Sequence, residues 1–154
     1  MDATFDFRER VREDNHEVQY SFILMDVANG EQRPFMQYYQ TNCEELPTLW
    51  TFQMRIQHAM DTGIVSSDVT LRRDDFANTP VHAFVWVTSF DTRHPEPLPL
   101  CSELFENKTI SPGEELEGFV PHLAQFPNSK NCVVLKAHVV VRIVITGCHP
   151  ERNE

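Results

Sequence analysis

Along this chain, apolar residues recur mostly at every second position, the spacing that places side chains on one face of a β-strand. Between Glu17 and Val27, the residues Val18, Tyr20, Phe22 and Leu24 fall on one such face, and Asn29-Gly30 follows as a turn. Arg33 to Gln40 carries Phe35, Met36, Tyr38 and Tyr39, as expected for a hairpin arm or a short crossing to a neighbouring strand. Val69 and Leu71 predict a short strand running into the charged turn Arg72, Arg73, Asp74, Asp75. Val81 to Phe90 is apolar on both faces, the pattern of a central strand. Pro95, Pro97 and Pro99 then deny ladder donors, so Arg93 to Leu100 is expected as an extended surface loop. Leu104, Phe105 and Ile110 predict another short strand before the turn Ser111-Pro112-Gly113.

Two segments admit a second period. From Leu49 to Met60, a strand puts Trp50, Phe52, Met54 and Ile56 on one face. A helix puts Leu49, Phe52, Ile56, Ala59 and Met60 on one stripe and strands Trp50 and Met54 off it. The strand leaves fewer apolar side chains misplaced and is preferred. Around Glu114 to Leu123 the acidic start is compatible with a helix. The last signal is the clearest: Val133, Leu135, Ala137, Val139, Val141, Ile143 and Ile145 alternate with Val134, Lys136, His138, Val140, Arg142, Val144 and Thr146. That predicts one strand of roughly 40 Å, at about 3.3 Å per residue. A strand so rich in β-branched residues needs partners along both edges. The fold class expected is therefore all-β, an antiparallel β-sandwich of about eight strands with a long C-terminal strand. Residues 1–15 are expected as an N-terminal arm that either adds an edge strand through Phe5 and Phe7 or stays solvated. Residues 16–148 make the sandwich and 149–154 a tail.

Composition narrows the function more by exclusion than by motif. The 154 residues carry 13 basic and 23 acidic side chains, a formal net charge of -10. A phosphate-tracking surface needs clustered Lys and Arg, so no nucleic-acid partner is expected. No apolar run approaches the roughly 20 residues that span a bilayer, and the first residues have no signal-peptide pattern, which predicts no membrane association and a cytoplasmic location. Cys43, Cys101, Cys132 and Cys148 lie far apart without a C-x-x-C pair and are expected as free thiols. No G-x-S-x-G, Walker, dinucleotide or H-E-x-x-H motif is present, so neither an enzyme nor a cofactor is expected. The seven histidines show no ligand spacing, and no metal site is predicted. His138 could pair with His82 as a proton shuttle, against the plainer expectation of a solvated rim position beside Lys136 and Arg142. Asp74-Asp75 and Glu114-Glu115 are expected as solvated turn charges, and Trp50, Phe52, Met54 and Met60 as core.

The order of these elements resembles the meprin-and-TRAF-homology (MATH, TRAF-like) domain, an eight-stranded antiparallel sandwich that binds peptides. The resemblance runs from about Glu17 to Thr146. It rests on the opening strand Val18-Gln-Tyr-Ser-Phe-Ile-Leu, the Trp-containing Leu49-Trp-Thr-Phe-Gln-Met-Arg-Ile and the short Ser67-Asp-Val-Thr-Leu. Val81 to Phe90, and Gly118-Phe119-Val120 with Leu123 ahead of the strand Cys132 to Thr146, complete it. Glu115-Leu116-Glu117-Gly118 stands where that family often has a Trp-Gly pair. The resemblance implies a protein-interaction module whose shallow groove, floored by Val85, Val87, Phe105 and Leu116, takes a short extended peptide of a partner protein, as a substrate-recognition or adaptor unit. It implies no catalytic residues, no metal and no cofactor. Because the chain stops a few residues past Gly147, a free-standing recognition unit or an excised piece is expected. Two other classes stay open: a coat-like structural subunit that self-assembles, leaving the oligomeric state undetermined, and an enzyme whose site has no local signature.

Overall fold

The computed structural model describes residues 5–12, 15–25, 34–59, 61–91, 100–125 and 136–148. The alternating pattern becomes nine strands among these residues: β1 (Phe5–Val11), β2 (Asn15–Met25), β3 (Phe35–Gln40), β4 (Leu49–His58), β5 (Ile64–Arg73), β6 (Val81–Asp91), β7 (Leu100–Ile110), β8 (Glu115–Gln125) and β9 (Lys136–Thr146). They form two antiparallel sheets, one in the order β1-β2-β9-β6-β7 and the other β3-β4-β5-β8. The architecture is an all-β sandwich. β9 is paired along both sides, to β2 from Met25↔Lys136 to Asn15↔Thr146 and to β6 from Asp91↔Ala137 to His82↔Thr146. That placement satisfies the backbone of the most β-branched segment.

Period two sorts the side chains. Ala137, Val139, Val141, Ile143 and Ile145 of β9 are buried, as are Val18, Tyr20, Phe22 and Leu24 of β2 and Val81, Ala83, Val85 and Val87 of β6. They meet Trp50, Phe52 and Met54 of β4 and Val65, Val69 and Leu71 of β5 across the interior. Each fully buried Val, Leu, Ile, Phe or Met among them contributes about 1.5–3 kcal/mol relative to exposure. Aromatic contacts tie the sheets: Phe35 stacks on Phe22 at 4.4 Å, and Tyr20 lies over Phe52 at 6.3 Å.

Leu49–His58 is the strand the alternation favoured, and Phe5–Val11 is the edge strand, paired with β2 from Phe5↔Phe22 to Val11↔His16. The helix compatible with Glu114 to Leu123 is not formed: that stretch is β8, registered on β5 from Arg72↔Glu115 to Ser67↔Val120. Its acidic residues fit a strand because Glu115, Glu117 and Phe119 take the solvent side while Leu116 and Val120 turn inward. β5 and β7 are longer than their few apolar residues suggested, since ladder pairing carries polar positions along with them. The Asn29-Gly30 turn, Met60, the proline loop from Arg93, the first residues of the expected last strand and the 149–154 tail lie outside the described residues.

Asp75 is not a solvated turn charge, whereas Asp74 keeps contact with water. Arg73 is fully buried at the end of β5 and donates to both Asp75 carboxylate oxygens, at 2.9 and 3.0 Å. Its Nη1 also donates to the carbonyls of Thr79 and Ile110, at 2.7 and 2.9 Å. The guanidinium thus pins the β5–β6 connection to the end of β7, beside the turn that leads into β8.

Candidate peptide-binding edge

The four residues expected to floor a groove do not share an accessible surface. Val85 and Val87 are 0% and 1% exposed and face the interior, opposite Ile143 and Val141 of β9. Phe105 is 4% exposed and belongs to the same core, and Leu116 is half-buried against it. A peptide cannot reach Val85 or Val87 without opening the sandwich. The correction follows from β6 being apolar on both faces: its pattern shows a central strand but not which side points in. The side chains β6 turns outward are His82, Phe84, Trp86, Thr88 and Phe90, all half-buried.

Leu116 and Phe105 nevertheless mark a real juncture. β7 ends one sheet and β8 ends the other, and the turn at Ser111–Glu114 brings them side by side. A Cβ placed on Gly118 of β8 would lie 3.2 Å from Phe105 Cζ and 3.5 Å from Leu104 Cδ2 of β7. The missing side chain lets β8 approach β7 over the Phe105 ring. Leu104, Leu116 and Gly118, each half-buried, line the strip between the strands, while Glu103, Glu106, Glu115 and Glu117 stand exposed along it. The two edges differ in regularity. β7 pairs with β6 through register shifts on both sides of Val85, and such bulges twist an edge away from further pairing. β8 runs in unbroken register on β5 from Ser67↔Val120 to Arg72↔Glu115, so its other side, which pairs with no strand among the described residues, is a regular row of backbone donors and acceptors from Glu115 to Val120. Beside that row, on the outer face of the β3–β8 sheet, a polar hollow of about 360 Å³ is lined by Gln53, Arg55, Asp68, Thr70, Glu115 and Glu117.

The outer face of the other sheet carries an aromatic stripe. Phe84 and Trp86 stack at 5.7 Å, and the Arg142 guanidinium sits 4.9 Å from the Trp86 ring centre while its Nε donates to Glu17. His82 and His138 do not meet: in the β6–β9 ladder, His82 pairs with Thr146 and His138 with Phe90, at opposite ends. His138 bonds Ser21 Oγ through Nε2, and His82 Nδ1 lies 3.2 Å from Thr109 Oγ1. A shared proton relay between them is not built.

Titration is shifted mainly at buried groups. Burial pushes the Tyr20 and Tyr39 hydroxyls up, with a further contribution from the Glu9 charge. Burial alone would raise Asp75, but hydrogen bonds from Arg73 and from the Leu49 amide, together with the Arg73 charge, hold its carboxyl below the ordinary range. The Cys148 thiol is pushed up to about 12, by burial first and then by its hydrogen bond with Cys43.

His16, Cys43 and Cys148 are all buried and bring one nitrogen and two sulfurs within 4.8 Å of one another. No spacing along the chain marks this cluster, because its members come from the start of β2, the segment after β3 and the segment after β9. None of the described residues forms a helix long and apolar enough to cross a membrane. No model of a known protein family matches the chain, and no curated protein is significantly similar to it.

Proposed function

We propose that this chain is a non-catalytic protein-interaction module of the MATH-like kind, which takes a short extended peptide of a partner protein along the free side of β8. The observation that carries the reading is the regular Glu115–Val120 edge, unpaired among the described residues, beside the apolar strip of Leu104, Leu116 and Gly118. An added strand makes main-chain hydrogen bonds to that edge, and its alternate side chains enter the strip over Phe105. The exposed glutamates along both strands favour a peptide with Lys or Arg at its solvent-facing positions, since opposite charges speed and orient docking. Affinity is modest, because ordering an extended peptide opposes binding and a shallow strip buries little area. In this reading the module works in the cytoplasm with its thiols reduced, as a recognition or adaptor unit.

The test is a peptide-library screen with the purified full chain, followed by titration of the best binders. Gly118→Val fills the strip and Leu104→Ser removes apolar contact. Each is expected to weaken capture by at least about tenfold, the effect of losing an interaction worth more than 1 kcal/mol. Both variants are also expected to lower the thermal midpoint, since Gly118→Val crowds Phe105 and Leu104 packs against the core, so capture is compared well below both midpoints. Capture that is equally strong in both variants, or no selected peptide at all, overturns the reading.

A second reading is favoured by the opposite edge, where Phe7 and Val11 of β1 are exposed on a strand with no outer neighbour among the described residues. Copies of the chain pairing there would make it a self-assembling structural subunit. Light scattering over a wide concentration range separates the two: large uniform particles support assembly, and a constant small mass supports the recognition module.

A further inference from the structure

The geometry points to a buried zinc site formed by His16, Cys43 and Cys148. His16 is the second residue of β2 and shares the inward face of Val18 and Tyr20, so strand alternation delivers its ring to the interior. Cys43 and Cys148 follow the ends of β3 and β9. The residue before each is in the left-handed region, Asn42 at φ 52° and Gly147 at φ 82°, and the chain turns there toward the interior. The three donor atoms lie within 4.8 Å of one another and all three residues are buried. A tetrahedral zinc with Zn–S about 2.3 Å and Zn–N about 2.0 Å separates these three donors by roughly 3.5–3.8 Å. Side-chain adjustments on the order of 1 Å therefore close the set.

Donor chemistry selects the ion. Two thiolates and an imidazole suit a borderline-soft d10 cation, whereas calcium and magnesium require an oxygen cage that this cluster does not offer. On binding, two S–H bonds give way to two Zn–S bonds and both protons leave to solvent, with no change of oxidation state. The three protein donors leave one position of the tetrahedron to a ligand from outside the set. The consequence is mechanical: β2 and β9 belong to one sheet and β3 to the other, so the ion cross-links the two layers at one end of the sandwich.

The test uses the full chain, prepared with reductant and chelator, then freed of both and titrated with zinc against a chromophoric chelator. Expected are one zinc per chain, a submicromolar Kd, and a melting temperature higher by roughly 8–16 °C at a thousandfold excess over Kd. Cys43→Ser and Cys148→Ser each lose at least about a hundredfold in affinity, more than the usual cost of disturbing a ligand's support. Cys101→Ser, at an exposed thiol, is expected to bind as the parent does. X-ray absorption on the zinc-loaded parent needs no variant to fold and should show two sulfurs and at least one nitrogen in the first shell. A shell of oxygen and nitrogen alone, the absence of stoichiometric zinc, or a Cys43–Cys148 disulfide in chain alkylated at the moment of lysis overturns the assignment.

Discussion

Two ion pairs sit one residue apart in the run Arg72-Arg73-Asp74-Asp75 and share their chemistry and spacing. Arg72 Nε donates to Asp74 at 2.7 Å with the side chains 51% and 31% exposed, whereas Arg73 Nε donates to Asp75 at 2.9 Å with the side chains 0% and 8% exposed. The outer pair hangs on the face of β5 that meets water. The inner pair is almost closed to solvent, and the protein supplies the partners that water would: Arg73 reaches two carbonyls besides the carboxylate, and Asp75 accepts from the amides of Leu49 and Ala77. Strand alternation alone makes the difference, so the same two-residue spacing yields a surface ornament on one side and a structural pin on the other.

The largest expected effect comes from breaking the inner pair. Asp75→Ala leaves a guanidinium buried without its counter-charge and should cost about 3–5 kcal/mol in urea unfolding. Arg73→Met combined with Asp75→Leu removes both charges and should recover most of that loss; a double variant as unstable as the single would mean that the pin acts through shape rather than charge. Acid reads the same pair. Asp75 has a folded-state pKa below its unfolded one, so its contribution is fully present above the unfolded range of about 3.9 and is lost as the pH falls below that. Unfolding midpoints measured from pH 6 down to pH 2 should fall more steeply in the parent than in the double variant.

This turn also shows what was legible in the sequence. Hydrophobic alternation identified the sandwich, the central strand and the long last strand, because core burial enforces period two wherever a strand has one wet face. It could not separate Arg72 from Arg73, since a charged run looks solvated until the register of β5 on β4 and β8 is known. The same limit displaced the groove: Val85 and Val87 lie on a strand apolar on both faces, and only the second sheet decides which face is interior. The acidic stretch at Glu114 was compatible with a helix locally and became a strand through pairing with β5. His16, Cys43 and Cys148 were invisible because no local rule joins three strand ends. Only Leu116 and Phe105 pointed near the edge, through the glycine two residues beyond Leu116.

Thr51 of β4, opposite Arg72 in the ladder, is buried and its hydroxyl donates to Asp74 Oδ2 of the outer pair at 2.5 Å. Thr51→Val keeps the shape and removes the donor, and a bond to a charged acceptor contributes about 1.5–3 kcal/mol at most. Because Asp74 retains contact with water, the expected cost is about 1 kcal/mol, smaller than that of Asp75→Ala, again by urea unfolding.

The smallest effect belongs to Arg72→Ala. Hydrogen bonding to Asp74 and the Asp74 charge raise the Arg72 pKa, yet the side chain is bathed in solvent that screens the attraction. Its unfolding midpoint should match the parent's within error, at low salt and in 1 M salt alike, while the deficit of Asp75→Ala persists in 1 M salt because the inner pair is shielded from ions. An Arg72→Ala loss comparable to that of Asp75→Ala would show that the β5 end is held from outside as well as inside, and that burial is not what separates the two pairs.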